Sequence, residues 1–207
     1  MTGRYIALEG VEGAGKSTVA GALRRRLAQR GFDVVAVREP GGTATGERIR
    51  SLVLDHGGEV GGWTEALLFA AARAQLAAEV VAPALAAGSW VVGDRSVYSS
   101  LAYQGVGRRL GLDGVRTVNE LGLSGVWPEL VILLRLDPVL GLRREAVRDR
   151  IGSEGIALQA RVSQAFDTLA AAEPERFVVV DASQRLAAVK AEVCEIVEAR
   201  WMTSSAT

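Results

Sequence analysis

The chain contains 207 residues, of which 49% are hydrophobic, with 24 basic and 24 acidic side chains, one Cys and one His. This length and apolar fraction suit a single domain over residues 1–207 and exclude a chain that is disordered by composition. The balanced charge gives no electrostatic footprint for nucleic acid or an acidic membrane. One Cys and one His cannot form a disulfide or a Cys/His zinc site.

The sequence lacks two patterns, a membrane span and a secretory signal, and this bears on the cellular compartment of the protein. No apolar run approaches the roughly 20 residues that a membrane span needs. No basic segment followed by an apolar signal core stands at the N-terminus. We therefore expect a soluble, cytoplasmic protein that binds neither nucleic acid nor a membrane.

Short apolar runs predict the strands, and helical patterns separate them. The predicted strands are Tyr5–Glu9, Val34–Arg38, Trp90–Gly93, Leu130–Leu136 and Phe177–Asp181. Strands that alternate with helices indicate an α/β fold with a parallel sheet. In such a sheet ligands bind beyond the carboxyl ends of the strands, where polar side chains stand in this sequence.

The helical patterns start with Val19, Leu23 and Leu27 at four-residue spacing, and Gly31 is a suitable stop. An alanine-rich helix is predicted from Glu65 to about Ala82, with Thr64 as its N-cap. Further helices are predicted over Leu112–Leu121, Pro138–Arg148, Glu154–Ala172 and Arg185–Trp201. The small, polar tail 202–207 is expected to fray.

A glycine-rich segment follows the first predicted strand and precedes a helical pattern. It reads Gly10-Val11-Glu12-Gly13-Ala14-Gly15-Lys16-Ser17, with Thr18 next. Glycines let the backbone amides curl around phosphate oxygens, and the following helix adds its free amides to the same anion. The lysine, one of only two among 24 basic residues, reaches the β- and γ-phosphates, and the Ser17 hydroxyl can ligate Mg²⁺. The segment predicts a P-loop NTPase that binds ATP through these nine residues.

The P-loop alone leaves the reaction open. A regulatory GTPase needs an Asn-Lys-x-Asp segment and an Asp-x-x-Gly switch, and the sequence has neither. Motor and AAA-type ATPases are larger. A small domain that transfers phosphate to another small molecule fits best.

Five sequence blocks, in order, resemble bacterial thymidylate kinases over about residues 4–200. They are Glu9–Thr18, Arg38–Thr43, Leu68–Arg73, Asp94-Arg95 and Ser99–Gly105. The resemblance implies phosphorylation of dTMP to dTDP by ATP and Mg²⁺ in dTTP synthesis, by a cytoplasmic homodimer. It also implies the P-loop nucleoside-monophosphate kinase fold, in which a five-stranded parallel sheet is flanked by helices in three layers.

The dTMP-binding residues implied by the resemblance combine cations, hydroxyls and aromatic rings. They are Arg38, Arg50, Phe69, Arg73, Arg95, Ser99, Ser100, Tyr103 and Gln104. Guanidinium groups match phosphate oxygens bidentately, and an aromatic face such as that of Phe69 can stack a pyrimidine. The implied roles are base recognition for Ser100 and exclusion of a ribose 2′-hydroxyl for Tyr103.

The expected catalytic groups stabilise charge, because phosphoryl transfer depends on positioning and on positive charge. They are Lys16, Arg95, Glu12, Arg148 and Arg150, of which the last two belong to a short, Arg-containing lid at about 143–156. The metal is expected at Ser17 and Asp94, although Asp94 could instead orient Arg95 as an ion pair. The lid departs from the family pattern, since Gly152 stands where an acidic residue is usual.

Two alternatives remain from the sequence. One is a P-loop kinase for another nucleoside or deoxynucleoside monophosphate. The other is a nucleotide-binding module with weak or no turnover, which the altered lid makes conceivable.

Overall fold

The computed structural model describes residues 3–55, 58–144 and 149–202. Its sheet contains five parallel strands in the order β2-β3-β1-β4-β5, which confirms the predicted fold class. The strands are β1 (Tyr5–Glu9), β2 (Val34–Arg38), β3 (Trp90–Asp94), β4 (Leu130–Arg135) and β5 (Phe177–Asp181). Only the carboxyl ends of β3 and β4 differ from the predicted bounds, each by one residue.

Helices connect the strands and cover the sheet. They are α1 (Lys16–Gln29), α2 (Ala44–Leu54), α3 (Gly62–Leu76), α4 (Ala82–Ala86), α5 (Val97–Ser100), α6 (Leu112–Leu123), α7 (Pro138–Arg144), α8 (Ile156–Ala172) and α9 (Leu186–Trp201). Wider π-helical turns at Ala77–Val81 and Leu101–Gly107 continue α3 and α5, and a 3₁₀ turn spans Gly152–Glu154.

The sequence patterns missed α2 and α5. Helix α2 begins after Thr43, whose hydroxyl accepts a hydrogen bond from the Gly46 amide, but its apolar positions are too few to show a helical period. Helix α5 is a single turn after Ser96, too short for periodicity to detect.

Two predicted helix starts are wrong. Helix α3 begins at Gly62, before the predicted cap Thr64, and α8 begins at Ile156, after Gly155. Gly155 has a φ of 86°, which breaks the helical path between the 3₁₀ turn and α8. The predicted helix Pro138–Arg148 is observed up to Arg144, and residues 145–148 lie outside the described ranges.

One helical stretch is more apolar than the sequence reading suggested. The stretch Gly62–Ala86 contains an 18-residue window with a mean hydropathy of 1.3, and it is long enough to cross a membrane by length and composition. However, it carries Glu65 and Arg73, both buried against the rest of the domain. Helix α3 packs between α2 and α6. These contacts make it a core helix of the fold.

Both faces of the central strands are covered. In β1, Ile6, Ala7 and Leu8 are fully buried although their side chains alternate between the two faces of the sheet. Helices α1 and α9 pack together beside β1 to β3 and β5, and α8 packs against β4, β5 and the turn Leu101–Gly107. The core therefore lies on both sides of a parallel sheet, as its apolar strands require.

The sheet register brings three strand ends together. Leu8 is opposite Asp94, and Asp94 is opposite Arg38. The next bonds extend this pairing into the loops, because the Arg95 amide donates to the Leu8 carbonyl and the Glu39 amide to the Asp94 carbonyl. The chemistry-bearing segments after β1, β2 and β3 therefore share one edge of the sheet.

The alternation of β5 provides a matched test of the fold. Val180 is fully buried and its neighbour Val179 is 37% exposed. Val180→Ala should lower the free energy of unfolding by about 2 kcal/mol, through lost transfer energy and a residual cavity. Val179→Ala should lower it by only about 0.5 kcal/mol. Urea unfolding measures both, and equal losses would contradict the orientation of β5.

Candidate active site

The P-loop forms a tight backbone cradle between β1 and α1. Gly10, Gly13 and Gly15 have φ values of 143°, 71° and 90°, which side chains disfavour. At Gly13 a Cβ atom would lie 2.1 Å from the carbonyl oxygen of Gly141, so the loop packs directly against the backbone of α7. Glycine at this position is required by the close approach as well as by φ.

Lys16 opens α1 and its side chain folds back over the cradle. Its Nζ donates hydrogen bonds to the carbonyl oxygens of Gly10 at 3.0 Å and Val11 at 2.8 Å. Burial and the nearby Arg95 charge lower the pKa of the Lys16 ammonium. An ammonium held at a helix N-terminus among backbone amides is suited to bind a polyphosphate.

Ser17 and Asp94 form a pair of oxygen ligands at the mouth of the P-loop. The Ser17 hydroxyl donates a short hydrogen bond to the Asp94 carboxylate. Mg²⁺ binds oxygen atoms, and in phosphoryl-transfer sites one or two protein ligands suffice beside the phosphates. The pair fits that ion, and the described residues contain no larger cluster of acidic, His or Cys ligands. The alternative ion pair between Asp94 and Arg95 does not form among the described contacts.

Arg95 instead pairs with Glu12 of the P-loop. Its Nη2 donates to Glu12 Oε1 at 2.5 Å, and its guanidinium carbon lies 5.3 Å from the ring centre of Tyr103. The Tyr103 hydroxyl donates to the same Glu12 oxygen at 3.1 Å. Burial raises the pKa of the Glu12 carboxyl, but Arg95 and Lys16 outweigh it and lower that pKa to about 2. Glu12 is therefore ionised at neutral pH.

The loop that carries Arg95 is held from beneath by a buried carboxylate. Glu9 is fully buried and accepts hydrogen bonds from the backbone amides and hydroxyls of Ser96 and Ser99. The Ser99 hydroxyl in turn accepts from Arg95 Nη1 at 3.3 Å. Arg95 has a φ of 73°, a strained value that this network stabilises. Burial raises the pKa of Glu9, and the hydroxyl hydrogen bonds of Ser99 and Ser96, with the charges of Arg95 and Lys16, oppose that rise.

Arg73 is the second buried cation at the site. Its Nε donates to Glu39 Oε2 at 2.6 Å, and its other nitrogens donate to the Asn119 side chain and to the Ser96 carbonyl. Arg73 and Glu39 are each only 5% exposed. Burial raises the pKa of Glu39, and Arg73 counteracts it. Arg73 is thus fixed in position before any ligand arrives.

A cavity of about 490 Å³ gathers most of the predicted site. Its predicted lining residues are Glu12, Gly13, Gly15, Lys16, Ser17, Thr18, Arg38, Arg50, Phe69, Arg73, Asp94, Arg95, Ser99, Ser100, Tyr103 and Gln104. Gly10, Val11 and Ala14 do not line it, because Gly10 turns the chain behind the cradle and the other two side chains pack into the core. One open cavity therefore connects the P-loop to the proposed acceptor residues.

The lid arginines are arranged differently from the prediction. Arg150 does not line the cavity, since its guanidinium donates to Glu65 at 2.5 Å and to the Val53 carbonyl at 2.8 Å. Arg148 lies outside the described residues. Arg144 lines the cavity, and its Nη1 donates to the Ala182 carbonyl at 2.9 Å.

Further residues line the cavity that were not among the predicted catalytic or binding residues, although three of them, Arg144, Asp149 and Ile151, lie in the predicted lid. The full set is Glu39, Pro40, Leu54, Arg144, Asp149 and Ile151. Glu39 and Pro40 lie in the block after β2, where a site was already indicated. Leu54 gave no signal, because only the tertiary fold brings the end of α2 beside the lid.

Sequence comparisons place this site in a known family. Residues 8–193 match the family model described as thymidylate kinase. The thymidylate kinase of Synechococcus sp. (strain JA-2-3B'a(2-13)) is 46% identical over 202 residues, which cover 98% of both chains. That of Halothermothrix orenii is 44% identical, over 93% of this chain and 95% of the relative. That of Deinococcus radiodurans is 46% identical, over 96% and 98%.

The family model covers nearly the whole chain, and the relatives named above are 44–46% identical to it. Both findings agree with the structure, in which one cavity joins a P-loop to buried arginines. The chain belongs to the thymidylate kinase family.

Proposed function

We propose that this protein transfers the γ-phosphoryl group of ATP to dTMP, giving ADP and dTDP, with Mg²⁺ as its metal. The single observation that carries the proposal is one continuous cavity that is lined by Lys16 and Ser17 of the P-loop and by Arg95, Arg73 and Phe69. Such a cavity can hold a donor triphosphate and an acceptor monophosphate in line. The family relatives are all named thymidylate kinase, which supports dTMP as the acceptor.

The P-loop binds the donor phosphates. Its amides and the N-terminus of α1 surround the β-phosphate, and Lys16 leaves its backbone carbonyls to bind the β- and γ-phosphates. Ser17 and Asp94 hold Mg²⁺, which neutralises charge on the donor phosphates when it is bound. Thr18 and the P-loop glycines complete the donor side of the cavity.

The acceptor phosphate binds to Arg95. Its guanidinium faces Glu12 in this structure and presents its donors to the cavity beside the P-loop. A dTMP phosphate placed there lies next to the γ-phosphate position, so the protein supplies proximity and charge stabilisation. The dTMP phosphate is already ionised at neutral pH, so no general base is required.

The thymidine part fills the rest of the cavity. Phe69 offers a ring face for the base, and Ser100, Gln104 and Arg73 offer polar atoms around it. Tyr103, fixed by Glu12, lies where the sugar would pass between phosphate and base. These groups favour a deoxypyrimidine acceptor over the purine monophosphates of the alternative reading.

An acceptor panel tests the reaction. ADP formation is measured with ATP, Mg²⁺ and dTMP, dCMP, AMP or GMP in turn. We expect turnover with dTMP to exceed that with the others at least about a hundredfold, since unmatched base edges leave buried polar groups unpaired. Lys16→Ala should lower kcat by about 100- to 1000-fold, whereas the matched variant Lys190→Ala should not.

Three results would contradict the proposal. Preferred turnover of another monophosphate would contradict dTMP as the acceptor. Full activity in a folded Lys16→Ala protein would contradict the assignment of the donor site. Binding of ATP without turnover of any acceptor would favour the non-catalytic module.

We also propose that the enzyme is a cytoplasmic homodimer. Large apolar side chains are exposed on three helices that pack side by side, Leu52 on α2, Trp63 and Leu67 on α3, and Leu121 on α6. Leu121 is 80% exposed. A surface of this kind is typical of a subunit interface. The single cysteine is compatible with a reducing compartment.

Charge placed on these helices should separate the subunits. Leu121→Glu buries a carboxylate in the proposed interface, and we expect sedimentation velocity to give a monomer where the unmodified protein gives a dimer. Arg24→Glu, on an exposed face of α1, should remain dimeric. A Leu121→Glu protein that sediments as the dimer would contradict the assignment of this surface.

A further inference from the structure

A buried carboxylate outside the cavity connects the acceptor site to the segment after α7. Glu65, on the first turn of α3, is fully buried. Its two oxygens accept hydrogen bonds from side chains of two separate segments. A carboxylate buried this deeply is stabilised by these donors, so one charge joins the two segments.

The first segment is the turn that follows α5. Gln104, which lines the cavity, donates its Nε2 to Glu65 Oε1 at 2.8 Å. Arg108, one turn further on, donates to both Glu65 oxygens at 3.1 and 2.9 Å. Glu65 therefore fixes the amide orientation of Gln104, because the amide nitrogen must face the carboxylate and the amide oxygen is left for other partners.

The second segment is Asp149–Glu154, beside the cavity wall. Arg150 Nη2 donates to Glu65 Oε2 at 2.5 Å, and Arg108 also pairs with Glu154. The Arg150 amide donates to the Leu54 carbonyl at 3.1 Å, so the same residue is tied to the end of α2. Its neighbours Asp149 and Ile151 line the cavity.

The arrangement is a closed cluster of charges. Two arginines and two carboxylates, Arg108, Arg150, Glu65 and Glu154, pair with one another, and Glu65 at the centre is the most buried of them. Burial raises the pKa of Glu65, but the hydrogen bonds from Arg108 and Arg150 outweigh it and lower that pKa. Removal of the central charge leaves the two partly buried arginines with Glu154, which is 32% exposed, as their shared carboxylate.

We propose that Glu65 is a positioning residue, which anchors Asp149–Glu154 through Arg150 and at the same time orients Gln104 toward the acceptor. This inference rests on the proposed function for its catalytic consequence, since Arg150 then acts by holding the cavity wall and not by contact with the transferred phosphate. The same carboxylate would therefore orient Gln104 toward the acceptor base and hold this wall of the cavity in place.

The structural part of the test needs no turnover. Glu65→Gln keeps the size of the side chain and removes its charge, and Glu79→Gln makes the same change at an exposed position of the same helical stretch. Hydrogen–deuterium exchange of peptides that cover 149–155 is measured in the unliganded protein. We expect exchange in this segment to rise about tenfold or more in Glu65→Gln and to stay unchanged in Glu79→Gln.

The catalytic part separates positioning from folding. In Glu65→Gln we expect kcat with dTMP to fall about ten- to hundredfold, since small misplacements of a reacting group cost this much. The KM for ATP should change less than about twofold, because the P-loop is untouched. A purely structural role would instead lower the melting temperature and leave kcat per folded molecule unchanged.

Unchanged exchange over 149–155 would overturn the proposal, as would faster exchange spread evenly along the chain. An unchanged kcat with local loosening would overturn the catalytic half. If the unmodified protein does not phosphorylate dTMP, the proposed function fails, yet the exchange data still decide whether Glu65 anchors the segment.

Discussion

Strands β1 and β3 pair in parallel with Leu8 opposite Asp94, and this register positions the charged groups that line the cavity. The P-loop leaves the end of β1, and the strained turn at Arg95 leaves the end of β3. A slip of one residue would turn every side chain of the strand to the other face of the sheet. A slip would also take the buried Glu9 carboxylate away from its donors on Ser96 and Ser99, so the register of the sheet determines where the P-loop and Arg95 lie.

Each of the buried cations has an ion-pair or hydrogen-bond partner within the protein itself. Arg95 faces Glu12, Arg73 faces Glu39, and Lys16 lies on backbone carbonyls. Buried charges are costly without partners, so these pairs let the domain fold with several buried cations beside the P-loop. In the proposed reaction, a phosphate would bind to donors that already hold their positions, so the donors would need little reorganisation.

The sequence predicted the parallel sheet and the position of the glycine-rich loop between β1 and α1 well, because apolar runs and a glycine-lysine pattern are local signals. It also indicated Asp94 and Arg95, since both follow a strand directly. It could not predict that Arg150 would turn away from the cavity, because its partner Glu65 lies 85 residues earlier and belongs to an unremarkable helical pattern. The sequence also failed to predict α2. Its N-cap at Thr43 is a local signal, but the burial of its side chains depends on packing against α3, which the local pattern does not show.

The most direct test of the account is the affinity for dTMP when Arg95 is removed. Calorimetry should show that Arg95→Ala weakens dTMP binding about a hundredfold, the loss expected for a buried, charge-assisted pair, while ATP binding stays within about twofold. The double variant Arg95→Ala with Glu12→Gln should bind dTMP just as weakly, which excludes repulsion by an unpaired Glu12 as the cause. Unchanged dTMP affinity in folded Arg95→Ala protein would contradict the acceptor site described here.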